Sequence, residues 1–262
     1  MAAAFTWMAA GAQTLTDVGP NGGTSTNYAT YKGSSSTAST SGTYAPDRTL
    51  SNGTSTFSAY CIDPLTGFTN GQSYTTTTLD NFLNGLTTSG YASQIARSGY
   101  SGYTLGNTTI QARILSDLKE LYSWAYEDSQ TTAARSAAFG MAVWEIILQD
   151  GGSTGTTYSA TAGQMRSSGS NSSAADSVDN ALSGYLTALN SNSWTTLLGS
   201  SATQTNWTYT VYYDSSSPFS QSFLSVTPPG GLPEPGSFAL VGLALAGAYG
   251  VRRRQRMVAP QV

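Results

Sequence analysis

The sequence predicts an α+β fold, in which N-terminal and C-terminal β-strands pack with a helical block of about four segments, with a separate C-terminal membrane helix. Three observations predict it. Short alternations of β-branched and aromatic residues with polar ones occur before Asp63 and again after Asn206. Between Leu79 and Leu198 the apolar spacing changes to a helical period. Beyond Gly236 an uncharged apolar stretch runs into a cluster of arginines.

Taken in order, residues 24–31 and 56–62 alternate as short strands, separated by Gly- and Asn-rich loops; the low-complexity run 33–42 reads as one such loop. A short helix is expected over 79–86, and another over 91–96. Thr108 and Gln111 have the spacing of a capping box, and Ile110, Ile114, Leu118, Leu121 and Ala125 then recur on one helical face. A second helix is expected over 132–149 and a third from Ser173, with Val178, Leu182, Tyr185 and Leu189 inward. Trp207, Tyr209, Val211 and Tyr213 alternate with polar residues, and 221–227 completes a hairpin. The expected organisation is a partial signal peptide over 1–12, a globular region over 13–227, a linker with its motif over 228–235 and a tail over 236–262.

Composition excludes several chemistries. The chain has no histidine and one cysteine, which removes His-dependent triads, Cys/His zinc sites and an intrachain disulfide framework. No metal site and no cofactor is expected. Only 10% of the 262 residues are charged, whereas 38 are Ser and 37 Thr. Ahead of Gly236 there are seven basic and fourteen acidic residues, a balance of −7 that repels nucleic acid. Asp117 with Glu120, and Asp176 with Asp179, are i, i+3 carboxylate pairs expected in solvent. Asp63 and Glu145 form the pair to watch for acid–base chemistry, although Asp63 also suits a cap for the turn at Pro64. Trp124 and Trp144 read as core. Asn52, Asn107, Asn171 and Asn206 begin N-x-Ser/Thr triplets of the kind a hydroxyl-rich chain produces by chance.

The two ends read as addresses. Residues 1–12 are small and apolar and close on Ala10-Gly11-Ala12, a form that signal peptidase accepts, without the basic residues that begin a complete signal. At the other end Pro233-Glu234-Pro235 precedes an apolar helix containing Phe238, Leu240, Val241, Leu243, Leu245, Tyr249 and Val251, and then Arg252, Arg253, Arg254 and Arg256. Fourteen helical residues reach only about 21 Å, short of a ~30 Å hydrocarbon core, so the helix suits a weak anchor whose arginines stay cytoplasmic. This three-part order resembles the PEP-CTERM protein-sorting signal of Gram-negative bacteria, a tail also labelled ice-binding protein C-terminal domain. The resemblance implies export through the secretion machinery, a transient inner-membrane anchor, and cleavage near the Pro-Glu-Pro motif by an exosortase. It further implies an outer-surface or matrix destination in a biofilm-forming bacterium, where exopolysaccharide is a candidate partner.

Tyr60-Cys61-Ile62-Asp63 on a strand and Ala142-Val143-Trp144-Glu145 on a helix carry a second resemblance, to the thioester domains of bacterial adhesins. There a strand Cys is joined to a Gln two residues before the helix Ala, and the thioester captures an amine. Here Gly140 occupies that Gln position, so the acyl donor is missing and the thioester positions Cys61 and Gly140 are degenerate. Without it Cys61 reads as a small buried residue sharing a strand face with Phe57 and Ala59. The expected function is therefore a non-enzymatic exported envelope or matrix protein processed by exosortase. The alternatives are a covalent adhesin using Cys61 and a carbohydrate- or ice-binding module suggested by threonine runs such as Thr75 to Thr78.

Overall fold

The computed structural model describes residues 12–20, 26–31, 38–43, 47–63, 66–84, 108–148, 157–161, 165–167, 173–214 and 220–228. By contacts the chain divides into two units, Met1–Val226 and Thr227–Val262. The described strands are β1 (Gln13–Pro20), β2 (Thr26–Tyr31), β3 (Ala38–Thr43), β4 (Arg48–Ser51), β5 (Thr56–Cys61), β6 (Gln72–Thr78), β7 (Met165–Ser167), β8 (Thr208–Tyr213) and β9 (Phe223–Thr227). The described helices are α1 (Leu79–Asn84), α2 (Thr108–Ser129), α3 (Ala133–Leu148), α4 (Ser173–Ser191) and α5 (Trp194–Leu198).

The architecture corrects the predicted fold class. Six strands close into an antiparallel barrel in the order β1-β4-β5-β9-β8-β6, and β3-β2-β7 form a separate three-stranded sheet. β1 closes the ring because it pairs with β4 along one edge and with β6 along the other. Strands from the two ends of the sequence thus hydrogen-bond to one another, with β9 lying between β5 and β8. Closure leaves no unpaired edge, which an open sheet laid against helices would have kept. The alternation that identifies each strand carries no information about which distant strand it pairs with, so barrel closure is not encoded in the local pattern. Among the described residues no helix is long and apolar enough to cross a membrane. The expected membrane helix, residues 238–251, lies outside the described residues, as do 1–11, 91–96, Asn107, Asn171 and everything after Pro228.

Register assigns the faces. Asp17 opposes Leu50, Leu50 opposes Phe57, and Cys61 opposes Phe223, while Gln13 opposes Tyr74. Partners in register share a face, so Leu15, Leu50, Phe57, Cys61, Tyr74 and Phe223 form one set. Phe68 plugs that set, 5.4 Å from Phe223 and 6.5 Å from Tyr74 between ring centroids. β1 is bulged between Asp17 and Gly19, and the glycine takes a φ of +134° that a side chain would resist. The β4–β5 connection turns on Asn52, whose Oδ1 accepts the N–H groups of Thr54 and Ser55 at 3.1 and 2.9 Å.

Tyr60, one residue out of phase with Cys61, faces the helices instead. Its ring meets Tyr122, Tyr126 and Phe139 at centroid distances of 6.3, 6.3 and 4.7 Å. α3 is the centre of the helical layer: every residue from Ser136 to Ile147 is buried. It packs on α2, α4, β5 and β7. A helix buried on all sides and largely apolar can only be stable in such surroundings.

Most elements fall where periodicity places them; the differences are instructive. β3 begins within the run 33–42 that reads as a loop, and β6 contains the threonine run 75–78. β7 and α5 are too short to give a periodic signal.

Candidate functional site

The strand end that carries Cys61 lies against the helix that carries Trp144. The indole Nε1 donates to the Cys61 carbonyl at 2.8 Å, and the Asp63 N–H donates to Cys61 Sγ at 3.2 Å. The Ile62 N–H continues the β5–β9 pairing by donating to the Ser222 carbonyl at 2.9 Å. Cys61 is a free, buried thiol. Burial pushes its pKa well above the ordinary thiol value, and the adjacent Asp63 charge adds to the rise. Gly140 is also buried, one turn before Trp144 on the same helix face, and it offers no acyl group there.

The fold gives Asp63 and Glu145, the pair watched for acid–base chemistry, different partners, and the Asp176 side chain lies outside the described residues. Asp63 stays at the barrel end, where its carbonyl accepts Gln221 Nε2 at 3.2 Å and the Thr66 N–H at 3.4 Å. Glu145 is buried on α3 and accepts the Ser159 N–H at 3.2 Å. Neighbouring helix positions point about 100° apart, so Trp144 reaches the barrel and Glu145 reaches the 157–161 segment. Asp117 and Glu120, expected in solvent, are instead clamps. Tyr158 donates its hydroxyl to Asp117, and Trp194 Nε1 donates to Glu120 Oε1 at 2.7 Å. Burial raises the Asp117 pKa against the lowering effects of the Tyr158 hydrogen bond and Arg113. Asn190 completes the clamp on the segment, donating to the Tyr158 carbonyl and accepting its N–H, both at 2.8 Å. Trp124 is half-buried and stacks on Trp194 at 6.5 Å. Among the described residues no group of three or more Cys, Asp or Glu is placed to hold a metal ion.

A groove of about 390 Å³ opens between β8, α1 and α2. Trp207, immediately before β8, and Tyr209 within it lie on one strand face, as their alternation requires. Both aromatic tips are tied to the backbone of α2: Trp207 Nε1 donates to the Tyr122 carbonyl at 3.0 Å and the Tyr209 hydroxyl to the Lys119 carbonyl at 3.3 Å. Thr78, Ser123, Asn206 and Thr208 contribute polar groups, and Lys119 Nζ pairs with Asp80 Oδ1 at 3.1 Å. Sequence reasoning registered Trp207 and Tyr209 only as strand residues. The available signal was the aromatic i, i+2 pair beside Asn206, but the partners on α1 and α2 are far away in sequence.

The sorting residues Pro233, Glu234 and Pro235, the apolar residues of 238–251 and the arginine cluster lie outside the described residues, and for them the comparisons with known proteins are informative. No curated protein and no solved structure matches the chain. The family model described as the PEP-CTERM protein-sorting motif matches residues 232–254, and the chain thereby carries the signal of an exported, exosortase-targeted protein.

Proposed function

We propose that the chain is a non-enzymatic protein of the cell envelope or extracellular matrix, delivered by its sorting tail. The single observation carrying this reading is the matched motif at 232–254. In the proposal the secretion machinery exports the chain, and the apolar residues 238–251 hold it transiently in the inner membrane with Arg252, Arg253, Arg254 and Arg256 on the cytoplasmic side. Exosortase then cuts near Pro233-Glu234-Pro235 and releases the body to the outer surface. The short apolar length supports a transient anchor, since about 21 Å of helix is a poor match to the bilayer.

The non-enzymatic part rests on the residues themselves. The chain has no histidine, and Asp117 and Glu120 are engaged in holding aromatic side chains to the helices. Covalent adhesion through Cys61 receives no support from its surroundings: the thiol is buried, its pKa is raised, and Gly140, at the position of the expected Gln, carries no acyl group. Threonine-based ice binding receives none either, because 75–78 pair with β8 inside the barrel wall and are not an open array. Mass spectrometry of the secreted protein tests the sorting reading. A new C-terminus near Pro233–Pro235 is expected; secreted protein that retains Arg252 to Arg256 would overturn it.

A further inference from the structure

We infer that the groove between β8, α1 and α2 is a binding site for a neutral pyranoside. The inference stands apart from the sorting reading, because it rests on the groove alone. Its volume, about 390 Å³, is at the small end of ligand pockets and suits a single sugar ring with its substituents. Two kinds of surface meet in it. Trp207 and Tyr209 are two residues apart on one strand face, roughly 7 Å along the strand, and they supply aromatic surface for the C–H faces of a sugar ring. Around them are both acceptors and donors: the Asp80 carboxylate, the Lys119 ammonium, the Asn206 amide and the hydroxyls of Thr78 and Ser123. A ligand that presents adjacent hydroxyl groups and an apolar ring face uses both surfaces at once, which neither an apolar peptide nor a simple ion does.

Two further observations narrow the class. The Asp80–Lys119 pair at 3.1 Å cancels the charge at the rim, so nothing in the groove favours a polyanion over a neutral chain. The rings are also fixed before binding. Trp207 Nε1 and the Tyr209 hydroxyl are committed to carbonyls of α2, and Tyr126 packs against the Trp207 indole at 5.0 Å with an interplanar angle of 69°. Side chains that are already ordered lose little rotamer freedom on binding, so weak ring contacts become usable affinity.

The test is an NMR titration of the full chain with neutral hexasaccharides of glucose, of galactose and of N-acetylglucosamine, with a hexauronate as charged control. Saturable shifts are expected for at least one neutral sugar, confined to residues around Asp80, Lys119 and Asn206 to Tyr209. Trp207→Ala is expected to weaken binding at least tenfold. Because Trp207 also packs on Tyr126, Asp80→Ala at the half-exposed rim is the second variant, with an expected loss of about fivefold in a protein whose remaining spectrum is unchanged. Absence of saturable shifts with all three neutral sugars, shifts centred elsewhere, tighter binding of the hexauronate, or undiminished affinity in a folded Asp80→Ala protein would each overturn the assignment.

Discussion

Replacing Ser136 with Ala is the sharpest probe of how the barrel is fastened to the helices. Ser136 Oγ donates to Asp47 Oδ1 at 2.8 Å, accepts the Asp47 N–H at 3.0 Å, and lies 3.2 Å from the Tyr60 hydroxyl. Ser58 donates to the other Asp47 oxygen, and Tyr60 donates to Ser129 Oγ at 2.9 Å, so the cluster joins β4, β5, α2 and α3. Alanine has nearly the same volume as serine, so the packing term is small and the polar terms decide. A buried hydrogen bond onto a carboxylate is worth about 1.5–3 kcal/mol, and an orphaned buried N–H costs about 1–3 kcal/mol. These losses share one site and do not add fully, so the expected cost is about 3 kcal/mol, a fall of roughly 6–12 °C in Tm. Tyr60→Phe is the internal control. It leaves the Ser136–Asp47 bonds intact and leaves Ser129 donating to the Tyr126 carbonyl at 2.6 Å, so about 1 kcal/mol is expected. Urea unfolding of the three proteins, compared at equal m-value, measures the difference. A Ser136→Ala cost within about 0.5 kcal/mol of zero, or a larger cost for Tyr60→Phe, would refute the reasoning.

Two other expectations follow from the same structure. Burial raises the Asp117 pKa above its ordinary 3.8, so the native state holds this proton more tightly than the unfolded chain. The associated penalty is absent below about 3.8, grows as pH rises through the raised native value, and is fully present above it. Asp117→Asn is therefore expected to gain stability relative to the parent as pH rises from about 3.8 towards neutrality; a pH-independent difference in urea midpoint contradicts this. Cys61 is expected to resist iodoacetamide in the native protein and to react promptly once unfolded, with an intact mass showing no loss of ammonia. Rapid native alkylation, or a mass lower by one ammonia, would show that the thiol is not the buried free group described.

How much of this was legible in the sequence depends on how far apart the interacting residues are. α2, α3 and α4 each carry a helical period within a single segment; α3 matches its expected range to within a residue at each end, and α2 and α4 begin at Thr108 and Ser173 as expected. β8 and β9 were legible as a hairpin for the same reason, because the pairing partner is the next element. Barrel closure was not, since it depends on β1 meeting β6 and on β9 entering between β5 and β8, pairings whose register no local pattern encodes. β6 was hidden because only Tyr74 on it is buried; four consecutive threonines show no alternation. Asp117 and Glu120 look solvated from the sequence because their partners, Tyr158 and Trp194, arrive from 41 and 74 residues away. The sorting tail is the opposite case: a protease reads it as a linear segment, so its order of motif, apolar stretch and arginines needed no tertiary information.

The composition that first set this chain apart has a structural use. With 10% charged residues, three ion pairs are formed among the described residues, two of them within or between helices and one at the bulge of β1. The work of joining layers falls to hydroxyl groups instead. Ser129 accepts the Tyr60 hydroxyl at 2.9 Å, Ser136 donates to Asp47, Ser225 to the Ser58 carbonyl at 2.8 Å, and Ser220 accepts both the Tyr74 hydroxyl at 2.6 Å and the Thr69 N–H at 2.9 Å. Each of the neutral bonds contributes about 1 kcal/mol without the desolvation cost of a buried ion pair. A hydroxyl can donate and accept at once, so a small side chain closes a network that charged residues would need longer arms to span. This chemistry is indifferent to the redox state and depends little on ionic strength, because neither disulfides nor long-range charge attractions hold the layers together. For a protein exported beyond the cytoplasm with a single buried cysteine, that is a coherent route to a fold whose stability does not depend on the redox state of the medium that receives it.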